Sequence, residues 1–199
     1  MLSKKDVLAT LTTGLTTGLI AWRVLAYLGT EVVAGVLPTF SLVGIIPVLW
    51  LIGVEIGYIL GRWIAFFNQF GRFAAVGFTN AAVDFGVLYL FIAYSNITAG
   101  VYFTVFKTVS FIVALIHSYF WNRTWSFDQK IDANGKEFIH FTIVAVASLI
   151  VNVTIASLVA NAPHLGTADK VWAGIAAIVG SAASLFLSFA GYKLIVFKR

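Results

Sequence analysis

Apolar residues run along this chain in blocks of about 20, enough for a helix to cross a hydrocarbon core at about 1.5 Å per residue. Short clusters of Lys, Arg, Asp, Asn and Gly separate the blocks. The pattern predicts spans near 7–28, 39–60, 72–94, 100–121, 138–160 and 171–192. The first is the most polar, because it holds Thr-Leu-Thr-Thr-Gly-Leu-Thr-Thr ending at Gly18, and then Arg23. A re-entrant or interfacial segment there, leaving five spans, is the alternative. As a span, its glycines and threonines suit close packing against the second helix. The fold class is all-α: a polytopic integral membrane protein with six transmembrane helices.

Composition agrees. Of 199 residues, 60% are hydrophobic and 11% charged, against about 25% charged in soluble domains. No cysteine is present, which excludes disulfides, thiolate metal sites and cysteine nucleophiles. Residues 20–30 carry no small-x-small cleavage site, so the basic start and first apolar block read as an uncleaved span. The net charge of +5 suits anionic lipid headgroups. The basic residues are scattered between apolar spans, a distribution that does not suggest nucleic acid.

Charge also sets direction. With the N-terminus inside, Lys4, Lys5, Arg62, Arg72, Arg123, Lys130, Lys136, Lys193, Lys198 and Arg199 collect on the cytoplasmic side. Arg23, Lys107 and Lys170 fall on the outer side or in the outer membrane half. Six spans then place both termini in the cytoplasm. The longest loop, near 122–137, is too short for a sugar-nucleotide domain, and His117, His140 and His164 lie in different segments. The expectation is a non-enzyme with no catalytic residue, metal or cofactor.

From Phe70 onward the chain repeats itself degenerately. A shift of 68 places Phe73 on Phe141, Val76 on Val144 and Asp84 on Asn152; a shift of 70 places Ser118 on Ser188, Arg123 on Lys193 and Phe127 on Phe197. Each unit is a helical hairpin with both ends in the cytoplasm, so the last four spans read as two parallel hairpin repeats.

Asp84 is the costly residue. A carboxylate at a bilayer centre costs about 2.5 kcal/mol even on mild insertion scales. If Arg72 and Arg123 mark the cytoplasmic interface, Asp84 lies ~18 Å and Lys107 ~24 Å deep, within reach of a long lysine. An Asp84–Lys107 pair neutralises both, either as a register-fixing strut or as part of a polar path. Gly77, Asn80 and Asp84 share one helical stripe; Lys107, Ser110, Ala114 and His117 share another. Together they outline an intramembrane polar cavity, with Asn152 as a milder counterpart in the second repeat. Glu55 pairs with Arg62, with His117 or with neither.

The run Phe70-Gly-Arg-Phe-Ala-Ala-Val-Gly77, followed by Asn80 and Asp84, and the element Trp121-Asn-Arg-Thr-Trp-Ser-Phe127 resemble the GtrA-like family. Ser188-Phe-Ala-Gly-Tyr-Lys-Leu-Ile-Val-Phe197 is similar to that family's closing helix. The resemblance covers about residues 68–199, a four-span domain taken as 67–199, and leaves 1–66 as an added transmembrane hairpin. It implies flipping of an undecaprenyl-phosphate-linked sugar across a bacterial-type cytoplasmic membrane, for cell-surface polysaccharide synthesis or glycosylation. It equally allows a non-transporting subunit that anchors a polyprenyl-phosphate glycosyltransferase. Arg72, Asn122, Arg123 and Lys193 are then the phosphate-binding candidates, because arginine's planar fork suits phosphate; positive-inside anchoring is the plainer account of each. Gly191-Tyr192-Lys193 stands where the first repeat has Trp121-Asn122-Arg123, which weighs against equal roles for the two halves. Tyr119, Trp121, Trp125 and Phe127 read as an interfacial aromatic belt, although core packing explains them as well. A homodimer would enlarge a small bundle, and a proton-coupled exporter using Asp84 or Glu55 is a weaker competitor.

Overall fold

A capping box starts the first helix. Ser3 Oγ accepts from the Asp6 backbone N–H at 3.1 Å, and Asp6 Oδ2 accepts from the Ser3 backbone N–H at 3.0 Å, so two otherwise orphaned donors are satisfied. The computed structural model describes residues 2–33, 35–97, 100–129, 135–160, 162 and 169–197. Its helices are α1 (Lys4–Tyr27), α2 (Leu42–Leu60), α3 (Phe66–Ser95), α4 (Gly100–Trp121), α5 (Gly135–Ala160) and α6 (Asp169–Gly191). A two-residue hairpin, Val32–Val33 against Leu37–Pro38, links α1 to α2. The six helices fall where the hydrophobic blocks predict them, and the chain is a polytopic membrane protein. Among the described residues, Lys4–Tyr27, Thr39–Leu60, Phe66–Ser95 and Gly135–Asn152 are long and apolar enough to cross a membrane.

The chain forms two compact units, Met1–Gln129 and Lys130–Arg199. In the first, α1 packs on α2 and α3, α2 on α3, and α3 on α4. α1 is one continuous helix of 24 residues, long and apolar enough to cross a membrane and without the break that a re-entrant segment needs. Its glycines set the approach to α2: a Cβ on Gly14 would fall 2.5 Å from the Pro47 Cα, and one on Gly18 would fall 2.6 Å from the Leu42 carbonyl oxygen. Its buried threonines are satisfied within the helix. Thr10, Thr13 and Thr17 each donate to the carbonyl four residues earlier, so hydroxyls can be buried at a helix interface without orphaned donors. Thr17 also donates to Thr79 on α3 at 3.0 Å.

α3 begins at Phe66, six residues before the predicted start at 72. Phe66 and Phe70 stack at 4.9 Å, four residues apart on one face, and this apolar ladder carries the helix back past Arg72. Arg72 therefore sits inside α3 and does not mark its end. At the other end Asn96 caps α3 in the left-handed conformation, φ 58°, which asparagine tolerates.

Both α4 and α6 close in the same irregular way. Asn122–Ser126 and Tyr192–Val196 are π-helical turns, in which Phe127 N–H donates to the Asn122 carbonyl at 2.9 Å and Phe197 N–H to the Tyr192 carbonyl at 2.7 Å. Each wide turn drives its terminal phenylalanine inward. Phe127 lies 6.1 Å from Phe73, and in the second unit Phe197 lies 6.1 Å from Phe141. These are the pairs that the 68- and 70-residue shifts superpose, so the duplication is present in packing as well as in sequence. The turn also overturns the aromatic-belt reading for two residues: Trp125 and Phe127 are buried core side chains.

Candidate functional site

Asp6 occupies the end of the first unit where α1 begins. Only 3% exposed, it accepts from Ser3 Oγ at 2.5 Å, from the Tyr58 hydroxyl at 3.0 Å and from the Trp125 indole N–H at 3.0 Å. Arg72 brings its Nη1 to 3.7 Å from the same carboxylate and donates from it to the Trp125 carbonyl at 3.0 Å. The guanidinium also lies over the Tyr58 ring, 5.7 Å from its centroid. A buried carboxylate needs this many donors and a counter-charge, because burying it bare is prohibitive. Lys5 reaches Asp128, just beyond the π-turn, in an exposed ion pair. The added hairpin is thereby fastened to Trp125 of the Asn-Arg-Thr-Trp-Ser-Phe element by Asp6, and to Asp128 just beyond it by Lys5.

Sequence reasoning missed this cluster. It counted the opening residues as merely basic, although Ser3-x-x-Asp6 before an apolar block is a recognisable helix-start pattern. No sequence pattern reveals that Trp125, on the far side of four helices in sequence, closes over Asp6.

Nearer the middle of the first unit, the Ser110 hydroxyl donates to Asp84 Oδ1 at 2.6 Å, joining α4 to α3. The Lys107 side chain is outside the described residues, and with it the proposed Asp84–Lys107 pair. Asn80 Oδ1 and His117 Nδ1 are buried without a hydrogen-bond partner among the described residues. Their places are informative. On α3, Asn80 lies between Asp84 and Arg72; on α4, His117 lies between Ser110 and Trp125. The two helices are bonded at both ends of this stretch, by Ser110–Asp84 and by Arg72–Trp125, and the unsatisfied polar atoms fall between.

The remaining candidates are dispersed. Asn122 is 1% exposed, its amide donating to Ser118 Oγ at 3.1 Å while its Oδ1 has no partner among the described residues. Arg123 is half-buried in the π-turn. In the second unit Lys193 lies over the Phe189 ring at 5.5 Å, and Asn152 donates to Ser184 Oγ at 3.2 Å. That bond echoes Asp84–Ser110 with the charge removed: in each unit the repeat position on the first helix of the hairpin bonds to a serine on the returning helix. Glu55 forms an ion pair with neither Arg62 nor His117 among the described residues. The described residues hold no group of three or more His, Cys, Asp or Glu able to bind a metal ion.

From Arg72 onward these residues lie within a region matched by a known family. Residues 72–197 match "GtrA/DPMS, transmembrane domain". The chain is 30% identical over 127 residues to the uncharacterized membrane protein YngA of Bacillus subtilis (strain 168), an alignment covering 64% of this chain and 78% of that protein. No solved structure matches it significantly. Helices α1 and α2 and the first residues of α3 precede the matched region, as the resemblance implied. The match spans well over half the chain, from the helix carrying Arg72 and Asp84 through the second π-turn, and the chain belongs to the GtrA/DPMS transmembrane-domain family.

Proposed function

We propose that the protein moves a polyprenyl-phosphate-linked sugar, undecaprenyl phosphate being the bacterial carrier, from the cytoplasmic to the outer leaflet of a cytoplasmic membrane. One observation supports the reading: Asn80 Oδ1 and His117 Nδ1, buried without a hydrogen-bond partner among the described residues, lie along α3 and α4 between two bonds that join these segments. An amide oxygen left without a partner in an apolar medium costs about 1–3 kcal/mol. A sugar hydroxyl is a donor of the right size to recover that cost. The sugar itself cannot cross hydrocarbon with its hydroxyls unpaired, so a path through α3 and α4 serves both partners.

In this reading the phosphate rests on inner-face cations. Arg123, within the Asn-Arg-Thr-Trp-Ser-Phe element, is the first candidate, while Arg72 faces Asp6 and donates to the Trp125 carbonyl. The same engagement favours a second reading, in which the domain is a rigid membrane anchor for a polyprenyl-phosphate glycosyltransferase and transports nothing. Reconstitution separates the two. Labelled undecaprenyl-phosphoryl sugar, loaded into one leaflet of proteoliposomes, should change leaflet faster than in protein-free vesicles, and Asn80→Ala should slow it. Equal rates with and without protein would leave the anchor reading standing.

A further inference from the structure

An apolar groove lies between α2 and α3. It encloses about 360 Å³, walled on one side by Leu49 to Leu60 of α2 and on the other by Phe67 to Phe78 of α3. The groove exists because Gly53, Gly57, Gly71 and Ala74 withhold side chains along its floor. Its lining is apolar, and its one polar side-chain group is spoken for: the Trp50 indole N–H faces Thr79 Oγ1 at 3.3 Å. Trp50 and Phe78, 5.7 Å apart, mark the deep end.

Length identifies the occupant. Each wall covers twelve residues, about 16 Å of helix, which is half of a hydrocarbon core about 30 Å thick. The groove is one leaflet deep. At its shallow end α2 and α3 are joined by the turn Gly61–Ala65, where Trp63 is 76% exposed, as tryptophan is at a membrane–water interface. Arg62 is exposed on the same turn and forms no ion pair with a described residue. An apolar slot one leaflet deep, with a cation at its interfacial end, is complementary to a chain with an anionic head.

We infer that the α2–α3 groove holds one acyl chain of an anionic phospholipid, with the phosphate at Arg62. The site goes beyond the translocation reading, since α2 lies outside the matched family region and none of Asn80, Asp84, Ser110 and His117 lines the groove.

Native mass spectrometry of the full-length protein in detergent, titrated with phosphatidylglycerol or phosphatidylcholine of identical chains, tests it. One phosphatidylglycerol should be retained with about tenfold preference, the size of one charge-assisted contact. Arg62→Glu should erase the preference. Gly53→Leu should abolish retention of either lipid, because a Cβ there meets nothing within 4 Å and the larger side chain fills the groove without displacing backbone. Circular dichroism checks that the variants keep their helices; should Gly53→Leu unfold, the Arg62→Glu arm alone decides. Equal retention of the two lipids, or a preference unchanged in Arg62→Glu, overturns the proposal. So does retention of a polyprenyl phosphate in strong preference to phosphatidylglycerol.

Discussion

The Trp125 indole N–H donates to Asp6 Oδ1 at 3.0 Å across 119 residues of sequence. This bond ties the hairpin that precedes the family region to the most distinctive element within it. Arg72 completes the arrangement, facing the Asp6 carboxylate with the nitrogen that also donates to the Trp125 carbonyl. The added helices are thus part of the packing that fixes the π-turn, which gives them a structural role the family resemblance did not supply.

Asp6→Ala should be among the most damaging single changes in the first unit. It leaves Arg72 without its counter-charge and removes the acceptor of three side-chain donors, a loss of about 3–5 kcal/mol for a broken buried pair. Trp125→Phe keeps an aromatic side chain, removes one hydrogen bond at about 1 kcal/mol, and adds the cost of a small cavity because the buried indole is larger than phenyl. Thermal unfolding in detergent should rank Asp6→Ala well below Trp125→Phe, and the double variant should lose less than the sum. Strict additivity would mean that the two side chains do not act together.

Gly18→Val should separate α1 from α2. The added methyls would collide with the Leu42 carbonyl and the Val43 Cα, at 2.6 and 2.9 Å from the Cβ position, and overpacking of this kind costs about 1–3 kcal/mol. Gly44→Val is the control, because a Cβ there meets nothing within 4 Å. Limited proteolysis should cut the α1–α2 hairpin faster in Gly18→Val and at the wild-type rate in Gly44→Val.

Ser110→Ala and Asn80→Ala should lower leaflet exchange of the lipid-linked sugar about tenfold, equivalent to one lost contact of ~1.4 kcal/mol in the rate-limiting state. Asn80 Oδ1 has no hydrogen-bond partner among the described residues, so Asn80→Ala should leave thermal stability nearly unchanged. Loss of exchange at constant stability points to contact with cargo. Parallel loss of both would make these residues struts.

The absence of native cysteine makes topology directly measurable. Single cysteines at Lys4 and Glu31, both exposed and at opposite ends of α1, should differ in reach: a membrane-impermeant maleimide added to intact cells should label Glu31→Cys, and Lys4→Cys only after permeabilisation. The reverse pattern would invert the orientation that the lysine and arginine distribution predicts.

Much of this protein could be read without coordinates. Blocks of about 20 apolar residues located all six helices, because a helix that must satisfy its own backbone in lipid announces itself by length and composition alone. The 68- and 70-residue shifts placed Phe73 on Phe141 and Phe127 on Phe197, and the structure shows that each unit joins its own pair, Phe73 with Phe127 and Phe141 with Phe197. Polar residues in apolar blocks drew attention to Asp84, Asn80 and His117, and the structure bonds the first to Ser110 while leaving atoms of the other two unsatisfied.

What sequence could not supply were the relationships that depend on how helices turn and meet. Hydropathy cannot distinguish a π-turn from an α-helical end, so Trp125 and Phe127 passed equally for an interfacial belt and for core. It could not foresee that the aromatic ladder before Arg72 would carry α3 backward and enclose the guanidinium. Nor could it place Asp6, a charged residue in a basic stretch, beneath an indole more than a hundred residues away. Span number and repeat are written in local composition because the bilayer reads each helix separately. The partners of Asp6 and Arg72 were decided only by tertiary packing, because a buried charge is stable only where the assembled helices bring its donors together.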